Sequence, residues 1–170
     1  MNQELIQSIQ DIFSNDKNLQ CIGDQDAEYY VSEKYLKERS LICVSEHKHL
    51  YNIANKRSCA QIKGLKEFIS GLGFKTADEN ISGCFFYPVN GFMGWHTNHT
   101  RNDWRMYIVN SIKGDSFFRY VQDDKIITEL DPMGWSYRIF YVGDACNPYW
   151  HCVHGGSGRY SIGFRLKQIY

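Results

Sequence analysis

Between residues 81 and 166 the chain breaks into seven short runs, at 84–89, 104–109, 116–121, 125–130, 136–142, 150–153 and 159–166, with turn-forming residues between them. Each is rich in β-branched and aromatic side chains, and regular spacing of such runs predicts an antiparallel sandwich or barrel. Ahead of them, Leu5, Ile6, Ile9, Ile12 and Phe13 fall at helical spacing, and 60–72 repeats that pattern, with Gly71 and Gly73 placed to end it. The segments 29–31 and 41–44 are short enough to be strands, and 46–56 reads as weakly helical. The expected architecture is mainly β with N-terminal helices: a mainly helical support region over 1–78, packed as one domain against a β core over 79–170.

Nineteen basic and nineteen acidic side chains cancel, so charge gives no support to a nucleic-acid partner or an anionic membrane surface. The first residues lack a basic stretch followed by an apolar run, and no run of about 18 apolar residues occurs anywhere. The expectation is a soluble, cytoplasmic protein. Six cysteines, at 21, 43, 59, 84, 146 and 152, show no C-x-x-C spacing and read as free or buried thiols.

Two constellations carry chemistry. On a strand, residues i and i+2 share a face, so His96 and Asn98 can both turn into a barrel mouth, where a histidine from a distant strand completes one side of a metal. Two histidines and a carboxylate so arranged hold ferrous iron with positions left open. The chain supplies H-x-N. For the distal ligand, His151 shares a face with apolar Val153, whereas His154 begins a His-Gly-Gly-Ser-Gly turn and reads as a rim residue; it remains an alternative. His99 is a second alternative, as a third imidazole in place of the missing acid. His47 and His49 lie in a polar stretch and are expected to face solvent.

The second constellation is the alternation Arg159, Ser161, Gly163, Arg165, which places all four residues on one face of a strand. Guanidinium groups buried there need an anion, either an Asp or Glu from a neighbouring strand or a bound carboxylate, which matches their paired donors. A tight hairpin between His151 and Arg159 would set this anion site beside the metal site.

These residues resemble the Fe(II)/2-oxoglutarate-dependent oxygenases, whose core is a double-stranded β-helix, a jelly-roll or cupin-like barrel. Tyr87-Pro88-Val89-Asn90-Gly91-Phe92-Met93-Gly94-Trp95-His96-Thr97-Asn98 is similar to the family's tyrosine, turn and first iron ligand. His151-Cys152-Val153 is similar to its distal H-x-V. Arg159-Tyr160-Ser161-Ile162-Gly163-Phe164-Arg165 is similar both to its R-x-S signature and to the R-x-N-x-x-x-R strand of its nucleic-acid demethylases. The resemblance covers roughly half the chain.

It implies that His96 and His151 bind Fe(II), with Asn98 at the third position. Arg159 and Ser161 would hold the distal carboxylate of 2-oxoglutarate, helped by Tyr87, with Arg165 near the oxo-acid end or the substrate. Arg105 and Tyr107 are further pocket candidates, and Trp95, Trp104 and Trp150 are candidates for the substrate mouth. The implied partners are 2-oxoglutarate, dioxygen and a substrate whose identity the residues do not give. Asn98 departs from the pattern, since a neutral amide removes charge compensation for a divalent ion and weakens its binding. Asn98 ligates through its oxygen, His99 or Asp103 takes its place, or the position stays open. The alternatives are a non-catalytic cupin-like barrel with a degraded metal site, binding a small acid or a partner, and a three-histidine dioxygenase using His96, His99 and His151.

Overall fold

The computed structural model describes residues 1–15, 19–23, 26–53 and 57–169, with the side chains of 15 and 19–22 excepted. In chain order the elements are α1 (Gln3–Asn15), β1 (Leu19–Gly23), α2 (Ala27–Tyr30), α3 (Glu33–Glu38), β2 (Lys48–Ile53), a 3-10 turn (Cys59–Gln61), α4 (Leu65–Gly71), β3 (Phe74–Thr76), β4 (Gly83–Tyr87), β5 (Phe92–His96), β6 (Trp104–Ser111), β7 (Phe117–Gln122), β8 (Lys125–Leu130), β9 (Gly134–Tyr141), β10 (His151–His154) and β11 (Arg159–Gln168).

The strands form one curled antiparallel sheet in the order β8-β7-β10-β5-β2-β4-β11-β6-β9, with β1 paired to β2 and β3 to β11. One half, β4-β11-β6-β9, and the other, β5-β10-β7-β8, interleave in sequence as the two sheets of a jelly roll do, and β2 joins them. Each of the seven runs read from the sequence becomes a strand of this jelly roll.

Residues one step apart on β11 serve opposite sides. Ile162, Phe164 and Leu166 pack outward, with Leu5, Ile9 and Ile12 of α1 and with Leu65 and Ile69 of α4, in one apolar cluster. Arg159, Ser161 and Gly163 face inward and line a cavity. The α1 stripe at 5, 9 and 12 explains why that helix forms against this sheet: its three large side chains are almost wholly withdrawn from water, each worth roughly 1.5–3 kcal/mol. Asn2 caps the helix, its Oδ1 accepting from Leu5 N at 3.0 Å.

Several expectations for the first 78 residues are corrected. Three strands of the sheet lie there beside the helices. The segment 29–31 is not a strand: Asp26 accepts from Tyr29 N and starts α2. The stretch 46–56 is not helical, because Lys48–Ile53 is β2, buried at Leu50 and Ile53; residues 54–56 lie outside the described residues. His47 is not simply solvated, since its ring stacks on Tyr30 at 4.0 Å between centroids. The segment 41–44 is irregular, although its carbonyls hold the chain just after β5, with Ile42 O accepting from Thr97 N at 3.1 Å and Cys43 O from Asn98 N at 2.8 Å. The helix expected over 60–72 is interrupted at Gly64, whose φ of +73° suits glycine, and it ends where expected, with Gly73 N donating to Ser70 O.

The hairpin expected between His151 and Arg159 is also corrected. β10 pairs with β5 and β7, whereas β11 pairs with β3, β4 and β6, so the tight turn at 155–158 crosses from one half of the jelly roll to the other. Gly155 permits the crossing: a β-carbon there would stand 2.7 Å from Tyr87 Cβ and 3.0 Å from Gly91 O. Cys43, Cys59, Cys146 and Cys152 are free thiols, Cys84 is buried, and the Cys21 side chain lies outside the described residues. Among the described residues no helix is long and apolar enough to cross a membrane.

Candidate functional site

The crossing turn carries the chain across the sheet, so β10 and β11 face each other over a cavity of about 220 Å³. His96 ends β5, His151 opens β10, and the two are register partners, with ring centroids 4.1 Å apart. His96 Nδ1 lies 2.9 Å from Gly94 O, and His151 Nδ1 lies 2.9 Å from Tyr149 O. A carbonyl only accepts, so each Nδ1 carries the proton and each Nε2 keeps its lone pair. Burial pushes the His96 imidazolium down to about pKa 4. Burial, with His96 beside it, also depresses His151 well below the ordinary histidine value. Both rings are therefore neutral near pH 7, the state a metal ligand requires, and a backbone carbonyl fixes the tautomer of each.

Asn98 comes in from the loop after β5 with φ at +58°, a left-handed conformation that asparagine and aspartate tolerate. Its amide nitrogen lies 3.2 Å from His151 Nε2, and it shares the cavity lining with Tyr107. Turned the other way, the same amide presents an oxygen to the space between the imidazoles. Among the described residues no further histidine, cysteine or carboxylate joins His96 and His151 as a third ligand. The donors that can hold a metal are thus two imidazole nitrogens and one neutral amide oxygen.

Arg159 is wholly buried in this wall. Its Nε donates to Asp131 Oδ2 at 2.8 Å, while Nη1 and Nη2 have no hydrogen-bond partner. Tyr87 lies beneath, its ring 5.3 Å from the guanidinium carbon, and burial raises its hydroxyl pKa, so it stays a neutral donor. Ser161 is the next inward residue on β11. Two unsatisfied buried NH2 groups on a cation are costly, and a carboxylate in the cavity meets that need with its two oxygens.

Asp131 belongs to none of the motifs read from the sequence. It is fully buried, accepts from Arg159, Ser116 and Arg138, and receives the Arg138 bond at 2.5 Å. Burial alone would raise its carboxyl pKa; the Arg159 and Arg138 charges outweigh that and hold it down.

The structure gathers His96, Asn98, His151, Arg159, Ser161, Tyr87, Arg105 and Tyr107 around one cavity. It does not bring the rest. Arg165 is a correction: six residues along β11 from Arg159 it has passed the end of the cavity, where Nη1 meets Asp78 at 2.5 Å and Nε is held by Asp103. His99 is turned to Thr97, its Nδ1 2.7 Å from the hydroxyl, and does not line the cavity, which leaves the three-histidine arrangement without its third ring. His154 is the last residue of β10, stacked on Phe117 on the opposite face from His151. Asp103 bridges Arg105 and Arg165 and is occupied there. Trp95 is wholly buried with its indole N–H on Ser32 O at 2.9 Å. Trp104 packs on Phe74 and Tyr141, and Trp150 against the cluster of Phe92 and Cys152, so none of the three lines the cavity.

Fold and lining together define a jelly-roll barrel whose interior offers two neutral imidazoles and a buried cationic fork. No family model and no curated protein sequence matches the chain. Solved structures similar to it include an oxidoreductase of the 2OG-Fe(II) oxygenase family from Burkholderia pseudomallei, at 11% identity over 95% of this chain and 78% of that one, TM-score 0.49. A prolyl-4-hydroxylase from Pseudomonas putida is 12% identical over 98% of this chain and 100% of its own, TM-score 0.39. A cupin domain from Bordetella pertussis Tohama I is 12% identical over 55% of this chain and 91% of its own, TM-score 0.33. The fold assignment rests on the strand order, and the site on its own geometry.

Proposed function

We propose that the chain is an Fe(II)- and 2-oxoglutarate-dependent oxygenase that hydroxylates a substrate C–H bond. The observation that carries this reading is the convergence, in one buried cavity, of two imidazole lone pairs and a guanidinium whose Nη atoms lack partners. In the balanced reaction, 2-oxoglutarate, dioxygen and R–H give succinate, carbon dioxide and R–OH.

His96 and His151 would hold the iron through Nε2, with the Asn98 oxygen as a neutral third donor. Bound there, ferrous iron supplies the site at which the 2-oxo acid and dioxygen meet. Arg159 would take the distal carboxylate in its free fork, with Ser161 and neutral Tyr87 as donors beside it. These groups fix the acid's orientation and close the barrel floor to water. A substrate would lie in a neighbouring cleft of about 470 Å³, whose walls include Phe118, Tyr120, Phe140 and Tyr149. Phe118, Phe140 and Tyr149 also stand against the His151 ring, at centroid distances of 5.3 to 5.7 Å.

Anaerobic addition of Fe(II) and 2-oxoglutarate to the purified protein tests this reading. A weak visible charge-transfer band from the chelate is expected, and folded protein without the band overturns it. One observation favours a second reading, a barrel that binds a small acid without catalysis: the Asn98 amide already occupies the His151 lone pair at 3.2 Å. That reading predicts binding of 2-oxoglutarate that added Fe(II) does not strengthen.

A further inference from the structure

The cavity lining contains two arginines, Arg159 and Arg105, and no carboxylate. Each guanidinium has an aspartate from outside the lining beside its Nε: Asp131 hydrogen-bonds Arg159, and Asp103 Oδ1 stands 2.8 Å from Arg105 as an ion-pair partner without hydrogen-bond geometry. No hydrogen bond and no second ion pair to Arg105 is made among the described residues, and its side chain is 10% exposed against 1% for Arg159. Arg105 stands opposite Arg165 on β11, six positions along from Arg159, which is about 20 Å along the strand. Both side chains line the cavity, and the charges of both act on Tyr107 in the same lining. The same cavity is lined by the neutral His96, His151 and Asn98.

We infer that Arg105 is the second anchor of this cavity, binding the carboxylate at the opposite end of the acid from Arg159, so that short-chain dicarboxylates bind before any metal does. The inference rests on reading the cavity as an oxo-acid site, and it gives Arg105 a role in ordering events there. An aspartate at position 98 would place a fixed negative charge beside the incoming carboxylate and repel it. The neutral amide removes that repulsion and leaves Asp103, outside the lining, as the acid beside Arg105. Loading the acid first would bring a carboxylate to the imidazoles and restore the negative charge that a divalent ion needs and the protein's own side chains lack.

Calorimetric titration of the chelator-treated protein with glutarate, 2-oxoglutarate and butyrate tests this without iron or turnover. Glutarate and 2-oxoglutarate are expected to bind at least about tenfold more tightly than butyrate, which has one carboxylate. Arg105→Met, which keeps an apolar stem, should bring glutarate down to the level of butyrate, and Arg105→Lys should recover part of the difference. Equal affinity for glutarate and butyrate in the unsubstituted protein, no binding of any of the three acids, or glutarate binding unchanged in a folded Arg105→Met variant would overturn the inference. The outcome is separable from that of the proposed oxygenase function: metal-free dicarboxylate selectivity without the Fe(II) band removes the oxygenase alone, and the band without selectivity removes only the second anchor.

Discussion

At the level of single residues, the proposed metal site turns on Asn98. Its left-handed backbone, fixed by the hydrogen bond to Cys43 O, is one that aspartate also adopts. Asn98→Asp therefore changes charge with little change in conformation, and it should raise Fe(II) affinity by about tenfold or more, read by metal titration. Unchanged affinity would mean that residue 98 is not a ligand. The same substitution should weaken metal-free glutarate binding if Arg105 is the second anchor. The two imidazoles give the metal-free protein a pH dependence. Unfolded histidine takes a proton near pKa 6.5, whereas burial holds folded His96 near 4. Below pH 6.5 the unfolded chain thus binds more protons, and stability falls as pH drops from there toward 4. His96 alone contributes a loss of about 2 kcal/mol at pH 5, and His151, depressed for the same reason, adds to it. Urea unfolding at pH 7.5 and pH 5 measures this, and equal stability would show that the rings are protonated in the fold.

At the level of elements, the alternation on β11 was legible, and it gave the inward faces of Arg159 and Ser161 correctly. What periodicity could not show was how far the cavity runs, so Arg165 was assigned to a lining that ends at Gly163. The seven runs were legible because alternation and turn residues coincide in them. The first 78 residues were harder to read, because β2 carries Lys48, His49, Tyr51 and Asn52 at half-buried positions and lacks a clean two-residue period. Asp131 left no trace in the sequence, since a buried acid is recognisable only from the arginines that the fold brings to it. The helical elements have their own test. Ile9 is wholly buried in the cluster shared by α1, α4 and β11, so Ile9→Ala should destabilise the protein by about 2–5 kcal/mol in denaturant melts. A loss under about 0.5 kcal/mol would mean that α1 is dispensable to the sheet.

At the level of the whole molecule, the terminal strands of the curled sheet, β8 and β9, meet through side chains, Arg138 bonding Glu129 at 3.1 Å and also reaching Asp131, and not through a shared ladder. Amides on their outer edges should accordingly exchange with solvent faster than those of β10, β5, β4, β11 and β6, which have partners on both sides. Hydrogen exchange resolved by segment would show it, and uniform protection would mean the sheet closes fully. The cross-barrel turn at 155–158 was read as a hairpin because a glycine-rich tetrad between two strands looks the same in sequence whether the strands pair or part.

Arg138 at that seam and Arg159 on the cavity floor lean on the same acid, Asp131. A disturbance at the cleft mouth and one at the floor must then draw on a common anchorage, as two ropes made fast to a single cleat. Asp131→Asn should slacken both at once, loosening the β8–β9 seam in exchange experiments and lowering the affinity for glutarate. A loss confined to either place would show that the two moorings are independent.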